Sequence, residues 1–167
     1  MGLIEDKLGM VGLFVVRSLQ TELKEQGHDA SGSLLTSIEN ELKTNPDGFE
    51  IVVTFNDYGK FVNEGRRDGG KKVPISVLME WIERKGIATG QKEIKNAAFA
   101  IQRKIEQEGI PTKNSFKFTN NGRRAGFVDF VINNELVNIF KEVEEAIFLS
   151  FSIDLENLIN KANKKLS

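Results

Sequence analysis

The chain has 167 residues, which is enough for one domain, with or without an appendage, and for a sizeable hydrophobic core. Its 23 Lys and Arg nearly balance its 24 Asp and Glu, which argues against a dedicated DNA-coating protein, because such proteins are normally basic overall. The lack of cysteine excludes disulfides and thiolate metal sites, and the single histidine, His28, cannot form a zinc site alone. No secretory leader or long apolar run stands near the first residue, so we expect a soluble protein made inside the cell, with no membrane segment.

The first predicted element is an amphipathic helix over residues 3 to 26, where apolar residues recur every three or four positions opposite Glu and Lys. Gly9 and Gly12 each weaken this helix by about 1 kcal/mol relative to alanine. Either they let another backbone approach closely, or the packing of the helix tolerates them. Gly27 is predicted to end the helix, and His28 in the turn that follows is predicted to be a solvated loop residue.

A β-hairpin is predicted next. Asn45-Pro46-Asp47-Gly48 is a strong turn sequence, and the residues from 49 to 55 alternate in the manner of a half-buried strand. Composition alone would allow either a helix or a strand over residues 34 to 43. A turn of this length favours a hairpin, so we predict a partner strand over residues 36 to 43, with Ile38 and Leu42 facing inward.

The central stretch, residues 58 to 82, joins a short helical turn, a basic glycine-containing loop and a helix that begins at Pro74. Tyr58 and Phe61 lie on one face of the turn, and Trp81 lies at the edge of the apolar stripe of the helix. We therefore predict these three aromatic side chains to be apolar anchors that hold the loop out in solvent. The basic residues of the loop are Arg66, Arg67, Lys71 and Lys72.

The same loop partly matches a phosphate-cradling loop, since Gly65 is followed after four residues by Gly70 and Lys71. The next position must be Ser or Thr to bind magnesium, but it is Lys72. Pro74 also removes an amide from the helix end that would grip phosphate. A flexible surface loop explains the pattern better, and a loop displayed for contact with a neighbouring molecule explains it best.

A helix is predicted from Gln91 to Glu108, because Gly109 caps it and Pro111 prevents its continuation. Residues 115 to 119 and 126 to 132 are predicted to be the strands of a second hairpin, around Asn120-Asn121-Gly122. Arg123 and Arg124 then lie at a loop tip, where they can reach phosphate or the carboxylates of a partner.

A last long helix is predicted from Asn133 to about Ala162. Residues 147 to 155 also alternate like a strand, but the strong helix formers on both sides favour the helix. Phe148 and Phe151 either fold back on the core or dock on another subunit.

Together these elements predict an α+β fold, with a small antiparallel β-sheet packed with several α-helices and with long N- and C-terminal helices. We divide it into an α+β domain over residues 1–132 and a C-terminal helix over residues 133–167, which packs on the core or on a neighbouring subunit.

Several segments resemble the small neck proteins of tailed bacteriophages, which are tail-completion or head–tail joining proteins. The similar segments are residues 31 to 38 (SGSLLTSI), 58 to 67 (YGKFVNEGRR), 73 to 75 (VPI) and 81 to 87 (WIERKGI). Residues 98 to 105 (AFAIQRKI) and Gly109-Ile110 continue in register, so the resemblance extends from about residue 30 to residue 118. The family has a shorter stretch between the glycine and the proline, where this chain has the basic loop.

The resemblance implies a structural virion protein, present in the host cytoplasm during assembly and then in the neck or tail. Such proteins form a homo-oligomeric ring that joins the portal and adaptor assembly to the tail proteins and surrounds the DNA channel. We expect the interface or DNA-facing residues to be Arg66, Arg67, Lys71, Lys72, Arg123 and Arg124.

In the ring, the contact with genomic DNA in the channel would be non-specific. The alternative is a small nucleic-acid-binding module that uses the two Gly-Arg-Arg loops and binds naked DNA in a salt-dependent way. An enzyme has little support. Glu144 and Glu145 are adjacent on a helix and point in different directions, so they do not form a catalytic pair. The single histidine lies in a turn, so no Ser/His/Asp arrangement can be argued. We predict no catalytic, cofactor-binding or metal-binding residues and no cofactor.

Overall fold

A computed structural model describes residues 3–28 and 32–166, and it confirms the predicted α+β class with long helices at both ends. The elements are α1 (Leu3–Glu25), α2 (Ser33–Thr36), β1 (Glu39–Asn45), β2 (Gly48–Thr54), α3 (Tyr58–Glu64), α4 (Ile75–Arg84), α5 (Gln91–Glu108) and α6 (Phe127–Leu166), with a 3-10 helix over Lys113–Phe118. Ser31, the first residue of the segments similar to phage neck proteins, lies outside the described ranges. Within these ranges, none of the helices is long and apolar enough to cross a membrane.

Helices α1 and α6 pack along each other and run in opposite directions. The chain directly after α1 contacts the segment just before α6, since Gln26 Nε2 donates to the carbonyl oxygen of Ala125 at 3.2 Å. The two helices differ in length, with 23 residues in α1 and 40 in α6. The end of α1 lies beside the beginning of α6, so the difference in length appears at the other end. At about 1.5 Å per residue, the last part of α6 extends roughly 25 Å beyond the beginning of α1. From Ile147 to Lys164 no residue of α6 is buried.

The first hydrophobic core lies where α1, α6, α3 and the hairpin meet. Phe127 is fully buried there, and its ring lies 5.7 Å from that of Phe55, centroid to centroid. The hairpin strands are antiparallel and pair from Glu39 with Thr54 to Asn45 with Gly48. The other buried residues of this core are Val16, Leu19, Leu23, Leu34, Ile38, Val62 and Val131.

A second core joins α4 and α5, with Leu78, Ile82, Ile94, Ala98 and Ile105 buried. Helix α5 has the bounds that its sequence predicts, and α4 begins one residue after the predicted start, Pro74. Pro74 precedes α4, and Gly109 ends α5 with φ of 77°, a conformation that favours glycine. These local signals act within one turn of the chain, which explains why they suffice for this helical hairpin.

Two glycines of α1 resolve the alternatives that the sequence left open. A Cβ at Gly12 would lie 2.5 Å from Asn40 Oδ1, so this position leaves room for the side chain of a residue of β1. Nothing lies within 4 Å of the Cβ position at Gly9, so that glycine is only tolerated.

Some predicted strands are wrong. The first strand of the hairpin begins at Glu39, after the short helix α2, and Ile38 is buried just ahead of it. Residues 115 to 118 lie in the 3-10 helix, Thr119 follows it, and residues 127 to 132 form the first turns of α6. Phe127 and Val131 are four residues apart and both are buried, which fits the helical period. The predicted helix over residues 147 to 155 is confirmed, because these residues lie within α6.

A residue from another helix fixes the beginning of α6. Asn63 Oδ1 accepts a hydrogen bond from the backbone N–H of Val128 at 2.8 Å, and the carbonyl oxygen of Asn63 accepts one from Gly126 at 2.8 Å. Asn63 Nδ2 also donates to Asp129 Oδ2 at 3.1 Å. The helix therefore begins six residues before Asn133, and the predicted division between residues 132 and 133 falls inside it.

Candidate functional site

The backbone of the basic loop is fixed to the end of α5. The N–H of Arg66 donates to the carbonyl oxygen of Ile110 at 2.7 Å, and the N–H of Ile110 donates back at 2.8 Å. The N–H of Gly69 donates to the carbonyl oxygen of Glu106 at 2.8 Å. Gly65 and Gly69 both have positive φ, near 70°, so the sharp turns of the loop depend on glycine. These hydrogen bonds fix the backbone of the loop, so its side chains project from a defined conformation.

The four cations of this loop differ in their surroundings. Arg66 is half-buried, whereas Arg67, Lys71 and Lys72 are exposed. Lys72 Nζ lies 3.4 Å from Glu106 Oε2, in an ion pair open to solvent. For Arg67 and Lys71, none of the described carboxylates lies within ion-pair distance. The loop therefore presents two positive charges that are free to meet a neighbouring molecule.

The aromatic residues before the loop are placed differently from the prediction. Tyr58 is 59% exposed and Phe61 is 66% exposed, so these two rings are not anchors in the core. Helix α3 buries Gly59 and Val62 instead, because Gly59 lies directly against Phe55 and Leu34 and turns that face inward. Trp81 is half-buried against the second core, as expected of an anchor. We call residues 58 to 72 the aromatic–basic segment.

Arg123 is held inside the chain and does not lie at a free loop tip. Its Nε donates to Glu22 Oε1 at 2.9 Å and its Nη2 to Glu22 Oε2 at 3.0 Å, which forms a bidentate ion pair. The guanidinium carbon lies 3.5 Å from the centroid of the Phe130 ring, within the range of a cation–π contact. Asn121 and Gln26 donate further hydrogen bonds to the same carboxylate.

Arg124 is also engaged within the chain. Its Nη1 donates to the carbonyl oxygen of Gln26 at 2.7 Å, at the end of α1 where the last carbonyls lack helical partners. His28 is half-buried, and its Nε2 lies 2.9 Å from the carbonyl oxygen of Arg124, so this nitrogen donates in the contact. The prediction of a solvated histidine is therefore wrong. A nucleic-acid-binding module that relies on both Gly-Arg-Arg loops would have two of its four arginines engaged in structural contacts.

The surroundings of Glu22 change the pKa of its carboxyl group in two opposing ways. Burial alone would raise the pKa, because it disfavours the charged form. Hydrogen bonds from Arg123, Gln26 and Asn121, together with the positive charge of Arg123, outweigh burial and lower the pKa from its ordinary value. The hydrogen bond to Glu22 correspondingly raises the pKa of Arg123. This ion pair therefore links α1 to the segment before α6.

The face of α6 that points away from α1 is largely apolar and exposed. We call it the outer seam, and its exposed fractions run from 48% at Leu155 to 77% at Val137. The opposite side packs on α1, as the burial of Ala146 shows. The outer seam consists of Val137, Phe140, Phe148, Phe151, Leu155 and Leu158. Glu144, which is exposed, lies on the same face between Phe140 and Phe148 and divides the outer seam into two parts. Exposed apolar clusters of this kind on a helix are typical of protein–protein contacts.

These features are exposed surfaces and internal ion pairs. In the described ranges, no group of three or more His, Asp or Glu could hold a metal ion. Comparison of the chain with protein-family models, with curated proteins and with solved structures finds no match.

Proposed function

We propose that this chain is a structural protein of a tailed-phage particle. It forms a ring in the head–tail connector, neck or tail top, which joins the portal assembly to the tail and surrounds the DNA channel. The resemblance of residues 58 to 67 and 73 to 87 to phage neck proteins supports the family, and the surfaces of those same segments support assembly.

The observation that carries the proposal is the exposure of Tyr58 and Phe61 beside a loop with free cations. Tyrosine, phenylalanine and arginine are enriched at the centres of protein–protein interfaces. In a monomer, two aromatic rings with more than half of their surface in water would gain nothing from that position. A neighbouring subunit that covers them removes this apolar surface from water.

A ring needs two different, complementary faces on each subunit. The β-hairpin offers a candidate for the second face, because Asp47 and Glu50 are exposed near its turn, close in sequence to Phe49, which is 40% exposed. Glu39 is exposed at the other end of the hairpin. Contact between the aromatic–basic segment of one subunit and the hairpin of the next would pair cations with carboxylates. Such complementarity sets the register between subunits and disfavours wrong contacts.

Electron microscopy and light scattering of the purified protein test the ring. We expect closed rings whose formation increases with protein concentration. Arg67→Glu with Lys71→Glu should abolish them, and adding Asp47→Lys with Glu50→Lys should restore them. The matched control is Lys92→Glu with Lys95→Glu on the exposed side of α5, which should leave the rings intact.

A ring that survives the loop reversal unchanged would contradict the assignment of the faces. A protein that stays monomeric at high concentration and is absent from assembled particles would contradict the function. Salt-dependent binding of naked DNA by the monomer, lost on the same loop reversal, would instead support contact with DNA in the channel.

A further inference from the structure

The part of α6 beyond α1 has the spacing of a helix made to pair with another helix. One set of its apolar residues recurs at intervals of three, four, three and four, beside four further exposed apolar residues, Ile147, Leu149, Ile153 and Ile159. This spacing keeps one seam facing a partner helix, as in coiled coils. We call the residues of that set the seam, and they are Phe148, Phe151, Leu155, Leu158 and Ala162. Within the described chain no residue between Ile147 and Lys164 is buried, so the seam is uncovered.

We infer that this part of α6 pairs with the same segment of a second copy, antiparallel, with Leu155 of each chain packed against Leu158 of the other. The inference does not rest on the proposed ring. A symmetric contact of this kind closes after two copies, whereas a ring needs a second, heterologous contact.

Charges beside the seam select the second copy and the direction of pairing. Asp154 and Lys161 each precede a seam residue, at the same position of consecutive seven-residue repeats, and both are exposed. In an antiparallel pair, such positions of the two helices face each other across the interface. When Leu155 meets Leu158 of the second copy, Asp154 faces Lys161 of that copy, and symmetry repeats the ion pair.

The neighbouring registers lack this complementarity. A shift by one repeat in one direction brings the two Asp154 side chains together, and a shift in the other direction brings the two Lys161 side chains together. Like charges in contact disfavour both alternatives. In a parallel pair, Asp154 would lie beside Ile159 of the other helix and make no ion pair. One arrangement alone therefore satisfies both the seam and the charges.

The direction of pairing can be tested with engineered thiols, because the natural chain has no cysteine. We mix Asp154→Cys protein with Lys161→Cys protein and add a mild oxidant. The mixture should form a disulfide-linked dimer, and either variant alone should not. Phe148→Cys is the parallel control, because two such residues lie in contact in a parallel pair but about 25 Å apart along an antiparallel one. A dimer of Phe148→Cys with itself, without the mixed dimer, would overturn the inference.

The charge arrangement is tested by sedimentation in the Arg67→Glu, Lys71→Glu background, where the proposed ring contact is removed. Asp154→Lys should raise the dissociation constant of the dimer by about tenfold, since two attractive pairs become repulsive. Adding Lys161→Asp should return it to the starting value. Glu156→Lys, away from the seam, is the matched control and should leave it unchanged.

A monomer at all concentrations in this background would overturn the antiparallel pair and leave the ring proposal untouched. A dimer whose strength is equal in all four proteins would also overturn it, because the contact would then lie elsewhere.

Discussion

Arg123 and Glu22 form a bidentate ion pair across 101 positions of the chain. The carboxylate belongs to α1, and the guanidinium lies on the ring of Phe130 in α6. A single side chain therefore links the first helix, the segment after the 3-10 helix and the last helix. The side chain of Glu22 is only 6% exposed, so its charge depends on these partners.

We predict that Arg123→Ala lowers the free energy of unfolding by clearly more than an exposed control substitution, because it leaves a buried carboxylate without its counter-charge. The loss is smaller than for a fully buried pair, since Arg123 is 38% exposed and Asn121 and Gln26 still donate to the carboxylate. Urea denaturation measures it. Arg17→Ala, at an exposed position of α1, is the control and should change stability by less than about 0.5 kcal/mol. Equal effects of the two substitutions would contradict a structural role for Arg123.

The same ion pair makes stability depend on pH. The folded-state pKa of Glu22 lies below its ordinary value of 4.5. The stabilisation is therefore complete above pH 4.5 and is lost as the pH falls through the folded-state pKa, because the unfolded chain takes up the proton first. We expect the difference in unfolding free energy between the natural protein and Glu22→Gln to shrink below about pH 4.5. Denaturation over a pH series measures it, and a constant difference would contradict the lowered pKa.

Asn63 is predicted to stabilise the beginning of α6. Asn63→Ala removes the acceptor for the N–H of Val128 and should lower the unfolding free energy by about 1 kcal/mol, as does the loss of a helix cap. Loss of the amide proton protection of residues 127 to 130 should accompany it. Asn138→Ala, whose amide donates to Glu135 on the exposed side of α6, is the control and should be nearly neutral. If both substitutions behave alike, the capping contact is not important.

Two glycines should respond to alanine in opposite directions. Gly9→Ala, with open space at its Cβ position, should stabilise the protein by about 1 kcal/mol through helix propensity. Gly59→Ala should destabilise it by about 1–3 kcal/mol, because the added methyl group would overlap the Phe55 ring and Leu34. Thermal unfolding of the two variants measures both changes. Stabilisation by Gly59→Ala would show that α3 can move away from its neighbours.

Local signals in the sequence predicted the elements whose ends are set within one turn. Helix α5 runs from Gln91 to Glu108, as predicted. The turn sequence at residues 45 to 48 correctly predicted the hairpin. The start of α6 depends on Asn63, which is 65 positions from Val128, so no local pattern could indicate it. The alternating residues 126 to 132 look like a strand until that contact is known.

The candidate site was predictable only in part for the same reason. The position of the basic loop followed from its composition, and its display of Arg67 and Lys71 agrees with that prediction. Spacing placed Tyr58 and Phe61 on one face of α3 but could not tell which face turns inward; the close approach of Phe55 to Gly59 decides it. The ion pair of Arg123 depends on Glu22, and the triplet Gly-Arg-Arg alone could not predict a partner so distant in sequence.

The two hydrophobic cores share no buried residue, and this separation has a consequence for motion. Hydrogen exchange should divide the amides into two cooperative groups, one for α4 and α5 and one for α1 and the first half of α6. We then expect the pair α4–α5 to open and close while the amides of the first core stay protected. In such a protein, the α4–α5 core can change conformation on contact with a neighbour while the first core stays folded.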